Sequence, residues 1–205
     1  MQQRKNCRNF YRKVRDALTQ EEVMEKSKAI CQNVFSSKEY EQAQVILGYY
    51  PLGKEADAFA LLEKALQDGK RLALPRTAGN GQMDFYEIHS MDEVEEGTFH
   101  VMEPKPDCVI LLPDSEEFKQ ETILVLVPGV VFDKEGNRYG YGKGYYDRYF
   151  ARFPYLKRMA LAYTDQIAED VLQCLDTDVK MHTIVTEAGQ IEIKTDLICV
   201  KTAQK

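Results

Sequence analysis

The chain has 205 residues, 44% of them hydrophobic and 29% charged, and a formal net charge of −6. That length suits one core-forming domain rather than two, and no apolar run approaches the roughly 18–20 residues of a membrane-spanning helix. Five scattered cysteines without a CxxC pair, and no HExxH, argue against a disulfide framework and a structural zinc site and fit a reducing compartment.

The first fifteen residues contain six bases and no acid. Cys7, Phe10, Tyr11, Val14 and Leu18 recur at helical spacing, which predicts a helix over about 1–18 with a core-facing stripe. Arg4, Arg8, Arg12 and Arg15 form an adjoining stripe, either a solvated face or a surface for an anionic partner. The basic residues have no apolar stretch behind them and no nucleic-acid-binding motif beside them. A cytoplasmic protein without nucleic-acid or membrane partners is therefore expected. Thr19 followed by Glu22 is a capping-box signal for a second helix through about Phe35.

The period changes after that. "VILGYY" (45–50) reads as a strand, "AFALLEKALQDG" (58–69) as an amphipathic helix closed by Gly69, and "RLALP" (71–75) as the next strand. This alternation predicts a single three-layer α/β/α domain over 1–205 with a mostly parallel sheet. "QMDFYEI" (82–88) is a further strand. Residues 91–121 hold ten acids against Lys105 and Lys119, and read as an irregular segment wrapping the outside. "ETILVLVPGVVFD" (121–133) opens as the continuous apolar run of a strand buried on both faces. "YYDRYFARF" (145–153) predicts a helix, "KRMALAY" (157–163) a strand and "DQIAEDVLQCL" (165–175) another helix. A C-terminal hairpin over about 183–200 turns at Ala188-Gly189.

One stretch stands apart: "RYGYGKGYYDRYF" (138–150) combines three glycines with cations and tyrosines just after the apolar strand. Ligands of open α/β sheets sit beyond the carboxyl ends of the strands. Gly140, Gly142 and Gly144 let backbone N–H groups approach an anion, and the following helix N-terminus adds a favourable partial charge. Arg138 and Lys143 contribute full charges, and Asp147, a turn later, could hold Mg²⁺ against phosphate oxygens. The combination suits a polyphosphate. Neither GxxxxGK[ST] nor the dinucleotide fingerprint occurs, so glycine spacing alone does not name the ligand. Tyr149, Phe150 and Phe153 fit the buried face of the helix, while Tyr146 is near enough to the loop to face a ligand as well.

A second candidate is "YYPLGKEADAF" (49–59), with Tyr49, Tyr50 and Glu55 at a carboxyl edge. An aromatic ring and a carboxylate suit a heterocycle bearing N–H donors. Glu55 and Asp57 could equally be acids complementing a helix N-terminus. Arg76, at the end of "ALPRT" (73–77), is offered to the same rim.

The stretch "PGVVFDKEGNRYGYGKGYYDRY" (128–149) closely resembles the signature of the 5-formyltetrahydrofolate cyclo-ligase family. The basic N-terminal helix, the 49–55 segment, "LPR" at 74–76 and "EP" at 103–104 recur in that family's order. The resemblance implies a fold similar to those of ribose-phosphate isomerase and coenzyme A transferase, in a chain expected to be a monomer. It implies ATP- and Mg²⁺-dependent conversion of 5-formyltetrahydrofolate to 5,10-methenyltetrahydrofolate, ADP and phosphate. It implies ATP binding by Arg4, Lys5, Arg8, Arg138, Tyr139, Gly140, Tyr141, Gly142, Lys143, Gly144, Tyr145 and Tyr146. Folate binding falls to Tyr50, Glu55, Tyr141, Gly142, Lys143, Gly144 and Tyr145, and the metal to Asp147. Lys143, Arg138 and Tyr146 are the implied catalytic residues.

Two positions depart from the pattern. Arg4 stands where the family usually has lysine, and His182 where it commonly has an aspartate associated with the metal. Histidine is a poor Mg²⁺ ligand, so His182 is either a phosphate neighbour or a bystander. His89 and His100 are read as structural. Another ATP-dependent transferase or isomerase on this fold, or a nucleotide- or folate-binding module without turnover, are the competing readings.

Overall fold

A computed structural model describes residues 2–78, 81–97 and 101–194. Three helices open the chain: α1 (Gln2–Asp16), α2 (Gln20–Phe35) and the short α3 (Lys38–Gln42). Strand β1 (Val45–Leu47), helix α4 (Phe59–Gln67) and strands β2 (Arg71–Ala78) and β3 (Gln82–Ile88) follow. The acidic segment contributes β4 (Val94–Glu96), β5 (Met102–Pro104) and β6 (Ile110–Leu111). Then come β7 (Ile123–Val127), β8 (Val131–Asp133), β9 (Arg138–Tyr139) and helix α5 (Tyr145–Arg152). The described chain closes with β10 (Lys157–Leu161), β11 (Ile167–Ala168), β12 (Thr183–Thr186) and β13 (Gly189–Glu192).

Eight strands form one sheet in the order β13-β12-β10-β7-β1-β2-β3-β6. The central five are parallel, and β13, β3 and β6 add antiparallel edges. Side chains alternate across a pleated strand. Leu124 and Leu126 accordingly join the core under α2 and α4, while Ile123, Val125 and Val127 join the core under α5. That alternation makes β7 apolar on both faces and gives the three layers, as the sequence predicts.

The strand order also fixes where a ligand can sit. From β1 the chain proceeds to β2 and β3 on one side, and from β7 to β10 and β12 on the other, with β1 and β7 paired in parallel. The boundary between them is a topological switch point, whose crevice opens at the strands' carboxyl ends. The loop leaving β1 carries Glu55, and the glycines of residues 140–144 lie between β9 and α5 on the path from β7 to β10.

Three sequence expectations change. The helix expected over 165–175 is a 3-10 turn at Thr164–Gln166, then β11, then irregular chain. Ile167 and Ala168 pair with Phe132 and Asp133, and Asp133 Oδ2 accepts from Leu172 N–H at 2.7 Å, so these backbone groups are already bonded elsewhere. Phe10 is 61% exposed instead of core-facing, its inward place on α1 taken by arginines. Residues 91–121 are only partly irregular: buried Glu103 accepts from Thr77 N–H and Oγ1, tying β5 to β2. The hairpin is present as β12–β13, with 195–200 outside the described residues, as are His100 and Cys199.

Candidate functional site

The glycine loop is anchored before it begins. Asp133 Oδ1 accepts from the N–H groups of Glu135 and Asn137, both at 2.9 Å, and closes the β8–β9 turn. Gly136 sits there at φ +82°, where a Cβ would meet the Met181 carbonyl oxygen at 2.9 Å, so glycine is required. The turn delivers Arg138 to the buried side of the loop. Its Nη2 lies 3.1 Å from Asp147 Oδ1, its Nη1 donates to Pro128 O at 3.3 Å, and its plane covers the Tyr146 ring at 5.5 Å.

Residues 140–144 then run to the start of α5, where Gly144 at φ +67° is the N-cap. Arg148, one turn in, reaches back across the loop. Its Nη2 donates to Lys143 O at 2.9 Å, and its Nε donates to Gly81 O at 2.9 Å. A Cβ on Gly144 or Gly81 would come within 2.9 or 2.8 Å of that guanidinium, so both glycines make room for it. Lys143 itself is exposed at the loop tip.

Helix α1 lies along the other side. Arg4 and Arg8 stack over Tyr139 at 4.5 and 5.4 Å, and Arg12 and Arg15 over Tyr141 at 6.0 and 5.8 Å. Ring faces attract guanidinium groups, and Arg4, Arg8 and Arg15 turn inward, whereas Arg12 and Phe10 are exposed. Arg4 pairs with Asp178 at 2.9 Å, and a Cβ on Gly142 would sit 3.6 Å from Arg8 Cζ. Burial, then the neighbouring Arg4 charge, lowers the Arg8 pKa, the response of a cation without enough anions near it. The Nε atoms of Arg4, Arg8, Arg15 and Arg138 are buried without a protein acceptor. An anionic ligand would match that arrangement of donors.

Glu55 closes the site from the β1 side. It is 5% exposed; Oε2 accepts from Leu52 N–H at 3.0 Å and Oε1 from the Tyr141 hydroxyl at 2.8 Å. Burial raises its pKa, opposed by the Leu52 N–H, the Tyr141 hydroxyl and the Arg15 charge. Tyr146, which faces the same space, has a buried hydroxyl with no protein partner. Burial pushes that phenol well up, so it stays a neutral donor.

The sequence-derived candidates divide accordingly. The fold gathers Arg8, Arg138, Tyr141, Gly142, Lys143, Tyr146 and Glu55 beyond the carboxyl ends of β1 and β7. Tyr139 is 3% exposed and donates to Gln173 O, so its ring is a platform for Arg4 and Arg8. Lys5 is exposed on α1, and Tyr145 lies under Arg148 at 5.5 Å. Tyr50, half-buried, packs edge-on against Phe59, while Tyr49 is buried with its hydroxyl on Ala56 O. Arg76 is turned aside to Pro104 O and Glu95. His182 lies at the amino end of the sheet, held by the Arg158 N–H at 3.0 Å and in contact with the Arg158 guanidinium at 3.0 Å. That is the edge opposite the glycine loop, and His182 is a bystander to it. Arg15 is the residue that chain periodicity did not single out: it belongs to the stripe, yet its burial and its contacts with Tyr141 and Glu55 mark it apart.

No group of three or more His, Cys, Asp or Glu side chains able to hold a metal occurs among the described residues. Asp147 offers a single carboxylate beside Arg138, at 3.1 Å. A lone carboxylate fits Mg²⁺ that is bound chiefly by phosphate oxygens and water.

Known proteins match this chain closely. The sequence profile of the 5-formyltetrahydrofolate cyclo-ligase family matches residues 1–187. The mouse 5-formyltetrahydrofolate cyclo-ligase is 29% identical over 83% of this chain and 87% of its own length. The Escherichia coli K12 protein of that name is 27% identical over 85% of this chain and 95% of its own. The NMR structure of Aquifex aeolicus 5,10-methenyltetrahydrofolate synthetase superposes with a TM-score of 0.81 at 29% identity, covering 94% of this chain and 93% of that one. A Mycoplasma pneumoniae 5,10-methenyltetrahydrofolate synthetase shares the fold, with a TM-score of 0.69 at 21% identity and coverage of 90% and 98%.

Proposed function

The chain belongs to the 5-formyltetrahydrofolate cyclo-ligase family, and from that membership we propose that it converts 5-formyltetrahydrofolate and ATP to 5,10-methenyltetrahydrofolate, ADP and phosphate. The observation that carries this reading is the 2.8 Å contact between Tyr141 on the glycine loop and Glu55 on the β1 loop. It joins a place for a polyphosphate to a carboxylate suited to a pterin ring, which is what a reaction between two such substrates needs.

The chemistry asks for positioning and charge neutralisation more than for a protein nucleophile. The formyl oxygen attacks the γ-phosphorus of ATP, and ADP departs. N10 of the folate then attacks the activated formyl carbon and loses its proton; the C–O bond breaks and phosphate leaves. Arg138 and Lys143 neutralise the charge on the transferring group, with Arg8 reaching the phosphate tail from α1. Loop N–H groups from Gly140 to Gly144 approach the phosphates, and the α5 N-terminus adds its partial charge. The Tyr146 hydroxyl supplies a neutral donor between Arg138 and Glu55. Tyr50 borders the folate, and Glu55 accepts from the pterin. Asp147 is the residue that would hold Mg²⁺, which would supply positive charge against the phosphates. No helix among the described residues is long and apolar enough to cross a membrane. A soluble monomeric enzyme of the cytoplasm is the reading we adopt.

Mixing the purified protein with 5-formyltetrahydrofolate and Mg-ATP, and following the methenyl chromophore in the near ultraviolet, tests the activity. A rise dependent on both ATP and enzyme is expected. A folded protein giving no rise would rule it out.

A further inference from the structure

Arg15 is buried, at 4% exposure, although it lies on a helix whose other bases are half-buried or exposed. Burying a guanidinium is costly unless its charge is answered. Its Nη1 donates to the Tyr141 hydroxyl at 3.1 Å and lies 3.8 Å from Glu55 Oε1. The Tyr141 hydroxyl in turn donates to that same carboxylate oxygen. The three groups come from α1, the glycine loop and the β1 loop, so no local pattern brings them together. Asp16, on the solvent side, is the other acid near Arg15, at 3.5 Å.

An ionised carboxylate has about four acceptor sites, two per oxygen. The Tyr141 hydroxyl occupies one on Oε1, and the Leu52 N–H one on Oε2. Each bond fixes one oxygen, so the carboxylate plane is set and one site remains on each oxygen. Such a pair matches two adjacent, parallel N–H donors, as on a 2-amino-4-oxo pyrimidine ring.

We propose that Arg15 is a positioning residue for folate recognition: acting through Tyr141, it holds Glu55 as an oriented carboxylate with one acceptor site on each oxygen for the pterin's two N–H groups. This rests on the assignment of Glu55 to the pterin made above. Arg15 does not touch the substrate; it acts on the charge and orientation of Glu55. The other groups facing Glu55 do not replace it. Tyr49 and Tyr146 are neutral phenols, and Tyr163 donates to the Glu55 backbone carbonyl at 3.0 Å. Lys54, next in sequence, points its Nζ at the carbonyls of Asp16, the last residue of α1, and of Leu18 just beyond it. Asp57 accepts from Phe59 N–H. Arg15 is thus the cation that opposes the burial of Glu55.

The test compares Arg15→Gln, Arg15→Lys and Glu55→Gln, measuring KM for 5-formyltetrahydrofolate, kcat and ATP affinity across the acidic pH range. Arg15→Gln is expected to raise the folate KM near neutral pH and to move the pH of half-maximal folate affinity upward. Affinity is lost about tenfold for each unit by which that midpoint passes the assay pH. ATP affinity and kcat should change less than the folate KM. Arg15→Lys should restore most of the pH midpoint, because it restores the charge, which a merely structural role would not require. Two results would overturn the inference: a wild-type pH midpoint in Arg15→Gln while Glu55→Gln loses folate affinity, or equal losses for ATP and folate, which would mean that Arg15 only docks α1. If Glu55→Gln also binds folate normally, the pterin assignment itself fails, and the role of Arg15 with it.

Discussion

Arg138 and Asp147 form an ion pair at 3.1 Å inside the glycine-loop region, and Asp147 Oδ1 also accepts from Val179 N–H at 3.3 Å. The carboxylate proposed for the metal is therefore already holding the cation proposed for the phosphate. Under the proposed assignments, nucleotide binding would re-divide those charges between Arg138 and Asp147. Asp147→Asn keeps the side-chain carbonyl that accepts from Arg138 and removes the charge. The expected result is a lower melting temperature, because buried Arg138 loses its counter-charge, a higher Mg²⁺ concentration for half-maximal rate, and a lower kcat. An unchanged Mg²⁺ requirement would assign Asp147 to the ion pair alone.

Lys143 stands at the loop tip, exposed, and contributes no surface to either core. Lys143→Ala should leave the melting temperature within about a degree or two, because an exposed charged contact is worth only about 0–1 kcal/mol. Turnover should fall by about a hundredfold or more, the scale of losing one preorganised cation from a transition state. Steady-state assay and thermal melting of one preparation decide it, and full activity would remove Lys143 from the phosphate site.

Gly144 adopts φ +67°, and its missing Cβ leaves room for the Arg148 guanidinium. Gly144→Ala should destabilise the protein by about 1–2 kcal/mol, the cost of a side chain in the left-handed region. At this chain length that is a melting shift of roughly 2–8 °C. It should also raise the KM for ATP, because Arg148 can no longer reach both Lys143 O and Gly81 O from the same position. Arg148→Ala should raise the ATP KM without the backbone component of the melting shift. A Gly144→Ala protein with wild-type KM would separate the clasp from nucleotide binding.

His182 provides a pH prediction away from the site. Burial first, then the charges of Arg158 and Lys157, depress its pKa to about 4. The unfolded chain carries histidine near 6.5. Between those values the unfolded state binds a proton that the folded state refuses, so stability is full above about 6.5 and declines as pH falls toward 4. With the side chain only partly buried, the loss over that window is expected to be about 1–3 kcal/mol. Melting curves at several pH values between 7 and 4.5 should show a smaller decline for His182→Gln than for wild type. Parallel declines would contradict the depressed pKa.

Much of the architecture was legible in the chain because periodicity reports burial. Ile123–Val127, apolar without alternation, could only be a strand covered on both sides, and β-α-β spacing made its neighbours parallel. The capping box at Thr19 and Glu22 is present as read, with Glu22 N–H donating to Thr19 Oγ1 at 3.1 Å and Thr19 N–H to Glu22 Oε2 at 2.7 Å. The glycine loop was visible through composition, since three glycines, cations and tyrosines stand together in 138–150. Phe10 and the 165–175 segment misled for one reason. Both have helical periodicity, but the surfaces opposite them decided otherwise: tyrosine rings drew the arginines of α1 inward, and Phe132 and Asp133 took Ile167 and Ala168 into strand pairing.

What the amino-acid order determined by itself was most of the elements and the presence of a glycine-rich cationic loop, because both depend on residues within a turn or two of each other. What only the tertiary structure decided was which loops meet. Glu55 and Tyr141 are 86 residues apart, and they touch because β1 and β7 are paired at the point where the strand order reverses. Strand order is a long-range outcome of packing two cores at once, and no local period encodes it.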